Sequence, residues 1–126
     1  MLRDAESQYA LQIVRSGHLL ASRIELAVDS QSRRRGLLGR DKLDEGAGLI
    51  IAPCSAIHTF SMRFAIDVVF LARDGKVLKT YTALERGRIA FSLSAFAVVE
   101  LPSGVLTESG VMPGDDLRLI VPKLML

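Results

Sequence analysis

The chain is short of the residue types that usually announce chemistry. It has one cysteine, Cys54, no tryptophan, and only 6% aromatic residues. A lone cysteine excludes an internal disulfide, so the thiol inventory does not point to an oxidising compartment. Sparse aromatics argue against a base-stacking platform for single-stranded nucleic acid. No apolar run approaches the ~20 residues that a membrane-spanning helix needs. The opening MLRDAESQYALQIVR lacks the basic start, long apolar run and small-residue cleavage site of a signal peptide. Charge bias is missing too. Sixteen Lys and Arg against fourteen Asp and Glu leave +2, spread along the chain, whereas a dedicated nucleic-acid binder concentrates its cations. The expectation is a soluble, cytoplasmic protein without a membrane segment, with nucleic acid disfavoured as a partner.

What is present is apolar. Hydrophobic residues make up 49% of 126, enough for one domain with its own core across residues 1–126. Residues 1–10 are polar enough to fray. Leu11 to Arg15 and Leu19 to Val28 read as a hairpin about Ser16-Gly17. In its second arm Ile24, Leu26 and Val28 alternate with Arg23, Glu25 and Ala27, the period of a half-buried strand. Asp29 and Ser30 offer helix caps, and SQSRRRGLLGRDKL predicts about two helical turns with Leu37 and Leu38 inward. Gly48 to Ala52 is a continuous apolar run, as in a strand covered on both faces, and Pro53 stops it. Asp67 to Ala72 and Lys76 to Thr82 flank Arg73-Asp74-Gly75, a hairpin signal whose two central residues would take positive φ. Ile89 to Leu93, Ala97 to Leu101 and Leu117 to Val121 read as further strands. Val105 to Ser109 reads as one helical turn ended by Gly110. Six to eight short strands with one or two brief helices predict a mainly β fold, at the margin of α+β. The architecture expected is a small half-open barrel or folded antiparallel sheet.

These pieces also stand in a familiar order. An arginine-rich Gly-Leu segment (Arg33-Arg34-Arg35-Gly36-Leu37-Leu38-Gly39-Arg40) precedes Gly48-Leu49-Ile50-Ile51. Then come His58-Thr59-Phe60-Ser61-Met62 and the aspartate-led strand Ile66-Asp67-Val68-Val69-Phe70-Leu71. Gly75, the turn Val99 to Gly104 and Gly114-Asp115 close the series. From about Ser22 to Val121 the chain resembles the family named domain of unknown function 192. The resemblance implies a mainly β fold of its own type and no particular activity. Where many relatives carry Phe-Trp-Met followed by Lys-Asn-Thr, this chain has Ile57 to Met62, so a role for His58 would belong to a subgroup.

The stretch from Pro53 to Asp67 holds the residues with the most chemistry. Cys54, His58 and Met62 share a face whether the segment is helical or extended. Thiolate, imidazole and thioether suit Cu(I), and the first two suit zinc. On a strand, however, ligands four residues apart lie roughly 13 Å from one another, too far for one ion. We therefore expect no metal and no cofactor. A catalytic pair of Cys54 as nucleophile and His58 as base meets the same objection and lacks an orienting third residue. The plainer reading makes Cys54 a small core residue, His58 a hydrogen-bonded wall residue and Met62 a gap filler. Asp67, ahead of an apolar run, needs a partner if buried: backbone N–H groups of a loop, or Arg35 or Arg40. Glu100, inside Val98-Val99-Glu100-Leu101, raises the same question. The cluster Arg33, Arg34, Arg35, Arg40 and Lys42 reads as a solvated helix face.

The functional expectation is a binding domain. His58, Thr59, Met62 and Asp67 would line a polar-edged groove near residues 54–67, with Arg35 and Arg40 beside it, for a small molecule or a protein partner. The alternatives are an enzyme that uses Cys54 and His58, or an adaptor working through an exposed sheet edge. A monomer or weak dimer is expected.

Overall fold

A computed structural model describes residues 9–121. Of the segment expected to fray, residues 1–8 lie outside the described residues, whereas Tyr9 and Ala10 belong to a strand. The elements are β1 (Tyr9–Ile13), β2 (Leu19–Ala27), α1 (Ser30–Arg35), β3 (Ala47–Ile51), β4 (Ala56–His58) and β5 (Ile66–Leu71). They continue with β6 (Val77–Leu84), β7 (Ile89–Phe91), β8 (Ala97–Pro102), α2 (Val105–Ser109) and β9 (Leu117–Ile120). Seven strands form one sheet in the order β6-β5-β8-β3-β2-β1-β9, and β4 pairs with β7 in a separate ribbon. The large sheet curls until its two edge segments meet at the bridge Lys76↔Asp116, which makes a half-barrel. The mainly β fold with two short helices is the architecture that the sequence predicts.

Burial on both faces of the sheet follows from its central strands. β5 is buried at every position, and β3 and β8 at nearly every one. Successive side chains of a strand point to opposite faces. Val69, Leu71, Val99 and Leu101 therefore enter one apolar cluster with Leu11, Ile13 and Ile24, closed by Leu106 and Val111 at and beyond α2. Ile66, Val68, Phe70, Leu49, Ile51 and Val98 enter a second cluster. Leu37, Met62 and Ala90, from outside the large sheet, cover that one. The unbroken apolar runs in the sequence record this two-sided burial.

Four local expectations change. First, the helix ends after six residues. Asp29 caps it by accepting from the Ser32 N–H (2.8 Å), but Gly36 leaves the helix at φ 48°, ψ −126° while its N–H reaches the Ser32 carbonyl. That backbone conformation suits glycine, and beyond it the chain loops to drop Leu37 into the second cluster. Second, the period-two reading of β2 fails at its end: Ile24 and Ala27 are buried, whereas Leu26 and Val28 are exposed. Here β2 serves two clusters, Ile24 entering one and Ala27 the other. Third, β2 and β3 pair in parallel within an otherwise antiparallel sheet, because the crossover through α1 is long enough to bring the chain back. Fourth, at the expected hairpin only Gly75, and not Asp74, takes positive φ. Its missing side chain lets the turn lie against the Leu117 carbonyl of β9.

Candidate functional site

The segment from Cys54 to Asp67 does not form one lined groove, because Ala56–His58 is a short strand, Ile66 and Asp67 already belong to β5, and the chain turns on either side of β4. Its side chains are sent to different places. Cys54 is half-buried against the second apolar cluster, and its Sγ donates to the Ala56 carbonyl (3.1 Å). Burial pushes its thiol above the ordinary value, and the Glu100 carboxylate raises it further against the opposing pull of Arg33. His58 lies on the exposed side of β4, stacked on Phe60 at 4.9 Å between ring centroids, while the preceding Ile57 turns inward. Cys54 therefore packs toward the core while His58 faces solvent, and His58 is not brought to the thiol as a base. Met62 is buried in the core. Among the described residues, no group of three or more His, Cys, Asp or Glu is placed to hold a metal ion.

Thr59 and Asp67 are fully buried, and their polar atoms are committed inward. Thr59 Oγ1 donates to the Glu85 carbonyl (2.6 Å) and accepts from the Arg88 N–H (2.9 Å), clamping the turn into β7. Asp67 accepts from three backbone N–H groups. Ala83 binds one carboxylate oxygen at 2.8 Å, and Gly104 (3.1 Å) and Leu106 (2.8 Å) bind the other. It thus fastens the end of β6 and the start of α2 to β5. Its side chain shares a face with Val69 and Leu71, away from His58, and it contacts neither Arg35 nor Arg40.

Arg35 and Arg40 do come together, and the loop that carries Arg40 touches the 54–67 segment through the Asp41–Arg63 pair. The two arginines line a groove of about 840 Å³ between residues 23–27 of β2 and the loop that follows α1. The groove is also lined by Glu25, Leu26, Gly36, Lys42 and Leu49. Arg40 pairs with Glu25 (2.8 Å), Lys42 with Asp44 (3.5 Å), and Arg23 donates to the Glu45 carbonyl (3.5 Å). Arg35 is exposed and has no ion pair among the described residues. Arg35 is therefore the groove cation whose side chain has neither an ion pair nor a hydrogen bond among the described residues. A smaller depression of about 500 Å³ adjoins Met62, Arg63, Phe64 and Arg86.

Behind this groove lies the least expected group in the molecule. Glu100 sits on β8, an interior strand of the sheet, opposite Leu49 on β3 and Val68 on β5. Its side chain faces the second apolar cluster and is 6% exposed, with Oε1 buried and unbonded. Nearby, Arg33 donates to the Pro53 carbonyl (3.3 Å) while its own Nε is buried without a partner. Burial among aliphatic side chains raises the Glu100 carboxyl to about 7, against a smaller opposing pull from Arg40. A side chain at Gly36 would begin 4.0 Å from Glu100 Oε1 and 3.8 Å from Ile51 Cδ1. The bare α-carbon of Gly36 thus leaves a methyl-sized space between groove and carboxylate. A charged residue inside Val98-Val99-Glu100-Leu101 was the sequence signal. The role of Gly36 had none, since it depends on how the loop packs.

Fold and site together define a small β half-barrel with a cationic groove on one flank and a carboxylate buried behind it. The chain belongs to the DUF192 family, described as uncharacterized ACR, whose model matches residues 11–119. A crystal structure of a protein from Sinorhizobium meliloti 1021, put forward as a transcription regulator, is similar to it. It shares 25% identity over 90% of this chain and 92% of the other, with a TM-score of 0.77. A protein of unknown function from Novosphingobium aromaticivorans DSM 12444 shares the fold at 21% identity. That likeness covers 88% of this chain and 83% of the other, with a TM-score of 0.76. No curated protein matches the chain. No helix among the described residues is long and apolar enough to cross a membrane.

Proposed function

We propose that this domain binds a small polar ligand in the groove between β2 and the loop after α1, with Arg35 and Arg40 in its wall. The observation that carries the reading is the groove itself. Its volume of about 840 Å³ falls in the usual range for small-molecule sites, and it has an unpaired cation at its rim. The groove first expected at residues 54–67 gives way to this one, because Thr59, Met62 and Asp67 are spent on holding the fold. The Cys54–His58 enzyme has no geometric support. The regulator description of the S. meliloti relative is not carried over. α1 and α2 have six and five residues and come from distant parts of the chain, unlike a paired recognition helix.

The test is an NMR titration with propionate, a simple anion. Amide shifts confined to residues 23–27 and 35–44, and lost in Arg35→Ala, are the expected result. Shifts centred on residues 56–67, or none at millimolar propionate, defeat the reading.

A specific observation favours a second reading, a weak dimer through the outer face of β4 and β7. His58, Phe60, Ile89 and Phe91 lie exposed there, and the nearby Leu93 is 85% exposed. Contiguous apolar patches of this kind often mark interfaces. Sedimentation equilibrium checks it: concentration-dependent association that Phe91→Ser weakens supports the dimer, and a purely monomeric species at high concentration removes it. The sheet edges offer less for an adaptor. They meet at Lys76↔Asp116, and farther along β6 the Lys79 and Tyr81 side chains bond Phe91 of β7.

A further inference from the structure

We propose that the groove selects a small hydroxylated organic anion, its anionic group held by Arg35 and its hydroxyl presented to Glu100 through the space beside Gly36. The inference rests on the groove reading above and adds the ligand's chemical class. The anionic half follows from the rim. Arg40, Lys42 and Arg23 already have partners, whereas Arg35 is free to bind a carboxylate through paired N–H donors. The donor half follows from Glu100. A buried polar atom without a hydrogen bond costs about 1–3 kcal/mol, and Oε1 is such an atom, so a group that reaches it is bound in preference to one that does not. Gly36 opens that approach, since apart from its own chain neighbours only Ile51 Cδ1 and Oε1 itself lie within 4 Å of where its side chain would start. Arg35 and Gly36 are chain neighbours, so anion and donor need be only a few bonds apart.

A hydroxyl fits better than an ammonium, because an ammonium would have to shed its water beside Leu49 and Val68. The charged or titratable groups around Glu100 are Arg40 from the loop after α1 and Cys54 from the chain before β4, with Arg33 of α1 beside Cys54. None of them bonds it. As pH rises through about 7, Glu100 takes on charge and repels an anion in the groove.

The probes are glycerate, which carries hydroxyls, and propionate, which does not. Neither changes charge between pH 6 and 8. We expect glycerate to bind about tenfold tighter than propionate at pH 6, the worth of one good hydrogen bond. The advantage should shrink by pH 8. Glu100→Leu should bring the ratio near one, Arg35→Ala should weaken both ligands, and Glu100→Gln should keep the ratio and remove its pH dependence. A wild-type ratio near one, or a wild-type ratio retained in Glu100→Leu, overturns the assignment while propionate shifts at residues 23–27 and 35–44 still uphold the groove. If propionate does not bind the groove, both fall. Should Glu100→Leu not fold, Glu100→Gln decides, and a pH profile like that of the wild type overturns the role of Glu100.

Discussion

Asp67 and Glu100 are a matched pair with opposite fates. They lie on adjacent strands, with Asp67 opposite Leu101 and Glu100 opposite Val68, so their side chains leave the sheet on opposite faces. Both are buried. Asp67 is met by three backbone N–H groups from the end of β6 and the start of α2, so its charge is solvated by the protein itself. Glu100 meets aliphatic walls, a carboxylate oxygen without a partner and a raised proton affinity. A buried carboxylate that is fully bonded belongs to the architecture. One left unbonded beside a groove is a reason to look for what bonds it.

The largest effect should come from Asp67→Ala. It leaves three N–H groups without an acceptor, that of Leu106 buried and those of Ala83 and Gly104 partly so, at about 1–3 kcal/mol for a buried one, and we expect a loss of roughly 4 kcal/mol in chemical denaturation. A loss under about 1 kcal/mol would show that the two carboxylates are alike after all.

Next comes the pH dependence of stability set by Glu100. Its carboxyl is raised from 4.5 to about 7 on folding, so the folded state holds a proton that the unfolded state releases. The contribution is fully present below about 4.5 and lost as pH rises through about 7. At about 1.4 kcal/mol per pH unit it amounts to about 3 kcal/mol between pH 4.5 and 8. Glu100→Gln should remove this decline from unfolding curves measured across that range. An unchanged slope would mean that Glu100 is solvated in the folded protein and the contrast with Asp67 dissolves.

The smallest effect is at Cys54, whose thiol is raised by burial and by the charge of Glu100. Alkylation of the folded protein should be slower than that of a free thiol and should quicken on unfolding. Glu100→Gln should speed it modestly near pH 8, where the carboxylate is ionised. No change in rate would place Glu100 too far from Cys54 for its field to be felt. Alkylation faster than a free thiol would revive a reactive Cys54.

Much of the fold was legible in the sequence because it is local. Asp29 announces the start of α1, Gly110 the end of α2, and Asp74-Gly75 the hairpin, each through backbone preferences of a few neighbouring residues. The apolar runs of β3, β5 and β8 disclose two-sided burial. The sequence also flagged Asp67 and Glu100 as carboxylates in need of partners, and put Arg35 and Arg40 in a binding site. It placed that site along residues 54–67, whereas the proposed groove runs along β2. Cys54, His58 and Met62 align only if the chain from 54 to 62 is regular, and it turns on both sides of β4. What decides whether a buried polar group is anchored or orphaned is the arrival of groups far away in sequence. Gly104 and Leu106 come to Asp67 across more than thirty residues, and Gly36 comes to Glu100 across more than sixty. Residue type and spacing determine which groups will need partners, and only tertiary packing decides which of them receive one.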